Sequence, residues 1–304
     1  MTLIQTVVTG DFVMQVSDRR LTKGLDRNKS VVVDDEDATK LVCWNNNFTA
    51  GFTGLARMDR RQKEPTALWI AKVLSECPTF EYGLDALRLA AQKQIKLLPK
   101  LWDRRLAIVI VGFDLRGTPL LGQVSNFDTT TGRSTDLDAF RGVGLSMNNQ
   151  SAIAVHSAGA ILPEINQTVL ARYIPRLLRK PDGKSGTGIN RAIRTMVQNQ
   201  RLVARKEKTV GEDALCVFIP KVQATFPGGP NVSFVLSNLG GPDVPTGTSG
   251  FGFFDKRGWR FEQRAPLITA YGMGVTEQTG RADPDFPDNQ TIGFRFHKLP
   301  TGWT

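Results

Sequence analysis

The chain is 304 residues long, with 40% hydrophobic, 8% aromatic and 22% charged residues, which excludes a fibrous or disordered protein and allows one large domain or two modest ones. No segment approaches the roughly 20 uninterrupted apolar residues that cross a bilayer, and the start Met1-Thr2-Leu3-Ile4-Gln5 lacks the marks of a secretory signal, so the expected location is the cytoplasm. The formal charge of +10 admits a nucleic-acid partner through counterion release, but the cations (Arg57, Arg60, Arg61; Arg104, Arg105; Arg176, Arg179, Lys180; Arg201, Arg205, Lys206, Lys208) are dispersed without a binding signature, which favours a solvated basic surface.

From the N-terminus, Leu3 to Val8, Phe12 to Ser17 and Phe48 to Gly54 alternate apolar and polar residues and read as strands, the first two joined at Gly10-Asp11 as a hairpin. A charged connection from Lys23 to Thr39 is interrupted by Val31, Val32 and Val33. Leu68 to Leu74 and Leu84 to Leu98 then show helical spacing, with Cys77-Pro78 dividing two helices. Leu106 to Gly112 is a buried strand, answered by Pro119 to Val124, and an irregular polar stretch leads to a further apolar run at Ser151 to Ser157. Two helices follow, Ala160 to Lys180, kinked at Pro175, and Gly188 to Lys206, and Ala214 to Pro220 is one more strand.

Strand clusters separated by helix pairs predict an α+β fold in which two packed sheets carry helices on their outer faces, a four-layer αββα sandwich. No GxGxxG or Walker-type segment supports a nucleotide fold. Past residue 222, Pro227-Gly-Gly-Pro230, Gly240-Gly-Pro-Asp-Val-Pro245 and Asp283-Pro-Asp-Phe-Pro287 punctuate short runs such as Val232 to Leu236 and Thr291 to Phe296. The expected division is a main domain over 1–222 and a Gly/Pro-rich β/loop extension over 223–304.

Cys43, Cys77 and Cys216 form no CxxC pair and read as buried thiols, and His156 and His297 lie 141 positions apart, so neither a metal site nor a cofactor is expected.

The N-terminus carries the chemistry. A threonine hydroxyl needs a base, and a free α-amine, with a pKa of about 7.7–8.0, serves when threonine begins the chain. Thr2 meets that requirement once Met1 is removed, as methionine ordinarily is before so small a residue. Asp18-Arg19-Arg20-Leu21-Thr22 follows the first hairpin, Lys40 lies in Thr39-Lys-Leu-Val42, and Gly54 in Gly51-Phe-Thr-Gly54 comes 14 residues after Lys40. In these residues the chain resembles the proteasome β-subunit family of N-terminal nucleophile hydrolases, including its bacterial relatives, most sharply over 2–59 and more loosely over 2–220.

The resemblance implies Thr2 as nucleophile, Asp18 and Lys40 as its supporting pair, Gly54 as oxyanion donor and Thr22 as a holder of the substrate backbone, with Arg20 in register. An Asp keeps a buried Lys charged, and a glycine N–H approaches an oxyanion without obstruction. Read singly, Asp18 also fits a turn with Arg20, Lys40 a surface cation and Gly54 a tight bend.

The family adds a Ser and an Asp–Ser pair that steady the amine. Ser157, in His156-Ser-Ala-Gly159, is the candidate for the first, while Glu207 and Val210 stand where the Asp and Ser are expected, with Asp213 or Thr209 as alternatives from a shifted loop. The implied activity is hydrolysis of a peptide or amide through an acyl-enzyme, without cofactor or metal, in a homo-oligomer, an ATPase or other regulator being left open. A non-catalytic scaffold of the same fold and a basic nucleic-acid-binding protein are the alternatives.

Overall fold

The computed structural model describes residues 2–25, 31–36, 38–45, 47–134, 136–147, 151–181, 183, 186–221, 250–255, 258–260, 267–271, 274–281 and 291–297. In chain order the first strands are β1 (Leu3–Val8), β2 (Phe12–Asp18), β3 (Leu21–Leu25), β4 (Val31–Asp35), β5 (Leu41–Trp44) and β6 (Phe48–Gly54). Helices α1 (Thr66–Ser75) and α2 (Phe80–Ile95) precede β7 (Leu106–Phe113), β8 (Pro119–Ser125), β9 (Arg141–Ser146) and β10 (Ala154–Gly159). Helices α3 (Glu164–Thr168), α4 (Ile174–Leu178) and α5 (Gly186–Ala204) lead to β11 (Ala214–Pro220), and β12 (Gly250–Asp255), β13 (Gly258–Arg260), β14 (Leu267–Tyr271), β15 (Gly274–Arg281) and β16 (Thr291–His297) complete the chain.

The strands form a six-stranded sheet in the order β10-β1-β2-β11-β12-β13, an eight-stranded sheet in the order β16-β15-β14-β5-β6-β7-β8-β9, and the hairpin β3-β4. Among the described strands the pairings are antiparallel except β14 on β5. The fold is thus mixed α and β, built on largely antiparallel sheets.

Alternation along the strands sorts side chains into separate cores. Val109 and Val111 of β7 meet Val8, Val13, Leu215 and Val217 between the sheets, whereas Ile108 and Ile110 of the same strand pack with Ile70, Leu74 and Leu87 of α1 and α2. On the six-stranded sheet, Val7, Met14, Val16 and Cys216 pack against Ile174 and Leu178 of α4 and Ile193, Met196 and Val197 of α5. Each fully buried Leu, Ile or Val contributes about 1.5–3 kcal/mol relative to exposure. These strands can therefore hold a site where they end.

The break at Cys77-Pro78 separates α1 from α2, whose N-cap Thr79 accepts from the Tyr82 amide. Two expectations change. The connection after Lys23 contains a hairpin, because Val31 to Val33 supply β-branched residues opposite Thr22 to Leu25; bulges at Leu21/Thr22 and Thr22/Gly24 break its alternation. The stretch read as irregular contains β9, whose Gly142 and Gly144 disguise a period of two. Around Pro175 the chain is helical, with a π-helical turn over Val169–Tyr173 directly ahead of α4 and Pro175, which lacks an N–H, in the first turn of α4.

Of the Gly/Pro-rich part, β12 extends the six-stranded sheet from β11 and β14 joins the eight-stranded sheet at β5. Thr291 to Phe296 falls within β16. The 227–230, 232–236, 240–245 and 283–287 segments lie outside the described residues. Among the described residues no helix is long and apolar enough to cross a membrane, and no cluster of His, Cys, Asp and Glu is placed to hold a metal ion.

Candidate active site

Thr2 enters β1, the strand held between β10 and β2. The β1–β2 turn is closed by Thr9, whose hydroxyl oxygen accepts from the amides of Asp11 and Phe12 and whose hydroxyl proton goes to Phe12 O. The resulting register sets Ile4 opposite Ser17, which carries Asp18 to the start of β1. There the Leu3 amide donates to Asp18 Oδ1 at 2.8 Å.

Lys40 arrives from the other sheet, immediately before β5. Its Nζ donates to Thr2 Oγ1 at 2.7 Å, to Asp18 Oδ2 at 2.8 Å, and to the Arg20 carbonyl. An ammonium has three donors, and these partners use all of them. Lys40 and Asp18 are 0% exposed and Thr2 is 4% exposed, so the three polar groups share one dry site. Burial pushes the Lys40 ammonium below its ordinary lysine value, against the opposing pull of the Asp18 carboxylate. The group sits closer to giving up a proton than a surface lysine does.

Asp18 is further satisfied by the amides of Arg20 and Gly211, both 3.1 Å from Oδ2. Arg20 secures this arrangement from the side. Its Nε lies 3.0 Å from both carboxylate oxygens of Glu36, and its Nη1 donates to the carbonyls of Lys208 and Val210, which fixes the loop that presents Gly211 to Asp18.

Gly54 ends β6 with φ of +101°, a backbone region that favours glycine, and a Cβ there would fall 2.0 Å from the Arg105 carbonyl. Its predecessor Thr53, 0% exposed, touches Thr2 twice: the Thr2 amide donates to Thr53 Oγ1 and the Thr53 hydroxyl donates to Thr2 O, each at 3.2 Å. Gly54 and Thr22 line a common cavity of about 360 Å³.

Two residues expected to support the amine are placed elsewhere. Ser157 lies opposite Gln5 in the β1–β10 ladder and lines a cavity with His156, Leu162, Gln167 and Leu170. Glu207 is occupied within its own turn, accepting from the Thr209 amide at 3.2 Å and hydroxyl at 2.7 Å, and Val210 is packed with Leu3 and Leu162. Neither Ser157 nor Glu207 bonds to Thr2 among the described residues. Of the residues beside the Thr2 backbone, Thr53 and Gly159 lie inside the segments Gly51-Phe-Thr-Gly54 and His156-Ser-Ala-Gly159, and Ala160 directly follows the second, so the segments were visible and the contacting residues were not.

Gly159 has φ of +105°, and a Cβ on it would fall 1.7 Å from Thr2 O, where the Ala160 amide donates at 2.8 Å. Gly159→Ala is expected to lower stability by about 1–3 kcal/mol, from a strained φ together with displacement of β1. Urea unfolding checks this, and an unchanged midpoint would contradict it.

No protein-family model matches the chain, and no curated protein does. Among solved structures the chain is similar to the Gly-1 mutant of Anbu from Hyphomicrobium sp. strain MC1, at 13% identity, over 71% of this chain and 80% of that one, with a TM-score of 0.42.

Proposed function

We propose that the chain is an N-terminal threonine hydrolase of the proteasome type, a four-layer αββα sandwich that cleaves a peptide or amide bond through an acyl-enzyme on Thr2 after loss of Met1. The observation that carries this reading is the 2.7 Å contact between Lys40 Nζ and Thr2 Oγ1, with Asp18 on the same ammonium, in a site closed to solvent. The four layers are supported by the separate cores on the outer face of each sheet and between them.

In the mechanism, the Thr2 amine takes the hydroxyl proton and Thr2 Oγ1 attacks the scissile carbonyl. Lys40, its charge held in place by Asp18, stabilises the developing alkoxide from 2.7 Å. The Gly54 N–H receives the oxyanion as the tetrahedral intermediate forms. The amine returns its proton to the leaving nitrogen, the amide C–N bond breaks, and water, deprotonated by the same amine, hydrolyses the Thr2 ester. Thr22 holds the substrate backbone as an added strand. Thr53 takes over the steadying of the amine: its proton is committed to Thr2 O, so its oxygen accepts from the amine and leaves the amine lone pair for the Thr2 hydroxyl.

One observation favours a second reading, a non-catalytic scaffold of the same fold: Glu207 is engaged by Thr209 and Val210 is buried where an amine-steadying pair is expected. Two measurements separate them. Intact mass of the purified protein is expected to correspond to residues 2–304, and a β-lactone probe is expected to label the wild type and not Thr2→Ala. Retained Met1, or labelling that persists in Thr2→Ala, would sink the enzyme reading.

A further inference from the structure

The helices on the six-stranded sheet carry most of the charge of the chain. Residues 164–208 hold eleven Lys or Arg against three Asp or Glu, which is +8 of the formal +10. Along the sequence these cations are scattered, but folding gathers them on one layer. The helical stretch 164–178 and α5 run antiparallel: Asn166 Nδ2 donates to Asn199 Oδ1 at 2.7 Å near one end, and Leu177 and Leu178 share a core with Ile189 near the other. Their apolar sides are committed to the sheet, through Ile174, Ile193 and Met196.

The polar sides face outward. Arg172, Arg176 and Arg179 recur at helical spacing, with Lys180 beside them, and Arg194, Arg201 and Arg205 repeat in the same way along α5 and just past it. Among the described residues Arg172, Arg176, Arg179, Lys180, Arg194 and Arg205 are exposed and make no ion pair. The acids of the layer among the described residues are Glu164 and Glu207, and Glu207 is engaged by Thr209. At about 1.5 Å per residue, Arg194 to Arg205 spans about 16 Å. A DNA duplex carries about ten phosphate charges over that length, one per roughly 1.7 Å.

The chemistry selects among partners. A second copy docked about a two-fold axis would set this face against itself, cation to cation. A bilayer takes up an amphipathic helix by its apolar side, and here that side is already buried. Protein partners are matched by charges of both signs, whereas this face presents one sign across two helices. Arginine outnumbers lysine by seven to three among the described residues of the layer, and the guanidinium fork matches phosphate geometry. Tyr173 is the one aromatic residue between 164 and 208, too few to stack the bases of a single strand.

We propose that the outer face of α4 and α5 is a docking surface for double-stranded nucleic acid, held through its phosphate backbone. The inference stands apart from the chemistry proposed for Thr2, and neither depends on the other.

The test titrates the full-length protein against a fluorescein-labelled DNA duplex of 24 base pairs, read by anisotropy between 50 and 150 mM KCl. Log affinity against log salt is expected to fall with a slope of about −4 to −5, the release of counterions from about five phosphates, or about 100-fold over that range. Arg176→Glu with Arg194→Glu is expected to weaken binding at the lower salt by about tenfold or more and to flatten the slope by about two. Arg61→Glu with Arg116→Glu makes the same charge change at exposed cations outside the layer, and is expected to bind within about threefold of wild type. Should the first variant lose its urea transition, Arg176→Gln with Arg194→Gln replaces it, with the slope again flatter by about two.

Absence of duplex binding at the lower salt, or equal losses in the two Glu variants, overturns the assignment. So does a single strand of the same length, or poly-glutamate, that binds as tightly as the duplex. Binding to phosphatidylserine vesicles without binding to the duplex, or a dimer that Arg176→Glu with Arg194→Glu dissociates, would give the face to a membrane or to a second copy and would equally overturn it.

Discussion

Lys40→Met is expected to lower the rate of acylation at Thr2 by about 10³-fold, the middle of the range for loss of a positioned proton-handling or electrostatic group. Methionine fills the side-chain volume but removes the only cation within hydrogen-bonding distance of Thr2 Oγ1 among the described residues. The cost in stability should be smaller than for most broken buried pairs, for which about 3–5 kcal/mol is common, because Asp18 retains three backbone donors, from Leu3, Arg20 and Gly211. A domain with the usual stability of about 5–15 kcal/mol remains folded after such a loss. The measurement is β-lactone labelling kinetics beside urea unfolding of the same sample. A labelling rate within threefold of wild type in folded Lys40→Met would remove Lys40 from the mechanism.

Thr53→Val tests the amine rather than the hydroxyl. Valine matches threonine in shape and deletes two hydrogen bonds, from the Thr2 nitrogen and to the Thr2 carbonyl, while the Ala160 amide still satisfies that carbonyl. The plateau rate is expected to fall about 100-fold, equivalent to about 2.7 kcal/mol of transition-state stabilisation. The sign of the pH effect follows from the bond. An acceptor at the amine favours its protonated form, so removing the acceptor lowers the amine pKa and moves the acid limb of the rate profile to lower pH. A lower plateau with an unmoved limb would mean that Thr53 serves only the packing of β1.

Strands whose two faces meet different apolar layers were legible, because Leu106 to Gly112 and Ala214 to Pro220 are continuous apolar runs and need no alternation to declare themselves. The hairpin at Thr22 and the edge strand β9 were not, since bulges in one and glycines in the other erase the period of two. At the site, Thr2, Asp18 and Lys40 were singled out through the resemblance, and they are linked by hydrogen bonds from Lys40 Nζ to Thr2 Oγ1 and Asp18 Oδ2. What spacing does not carry is which side chain beside a recognised glycine turns inward. Thr53 was passed over because the resemblance looks to a Ser and an Asp–Ser pair for the amine, and the nearest counterparts, Ser157 and Glu207, are directed to other contacts. Arg20 was in register, but besides its amide's direct bond to Asp18 its side chain acts through the loop at Lys208 to Gly211, a contact across 188 positions that only the fold creates.

The most direct test of Thr2 as an N-terminal nucleophile is peptide mapping after treatment with a peptide epoxyketone, whose morpholine adduct requires a hydroxyl and an α-amine on the same residue. The expected result is a single adduct on the tryptic peptide spanning residues 2–19, with Thr2 carrying the full reagent mass and no adduct in Thr2→Ala. An N-terminal peptide that begins at Met1 and carries no reagent, or an adduct at any other residue, would contradict it.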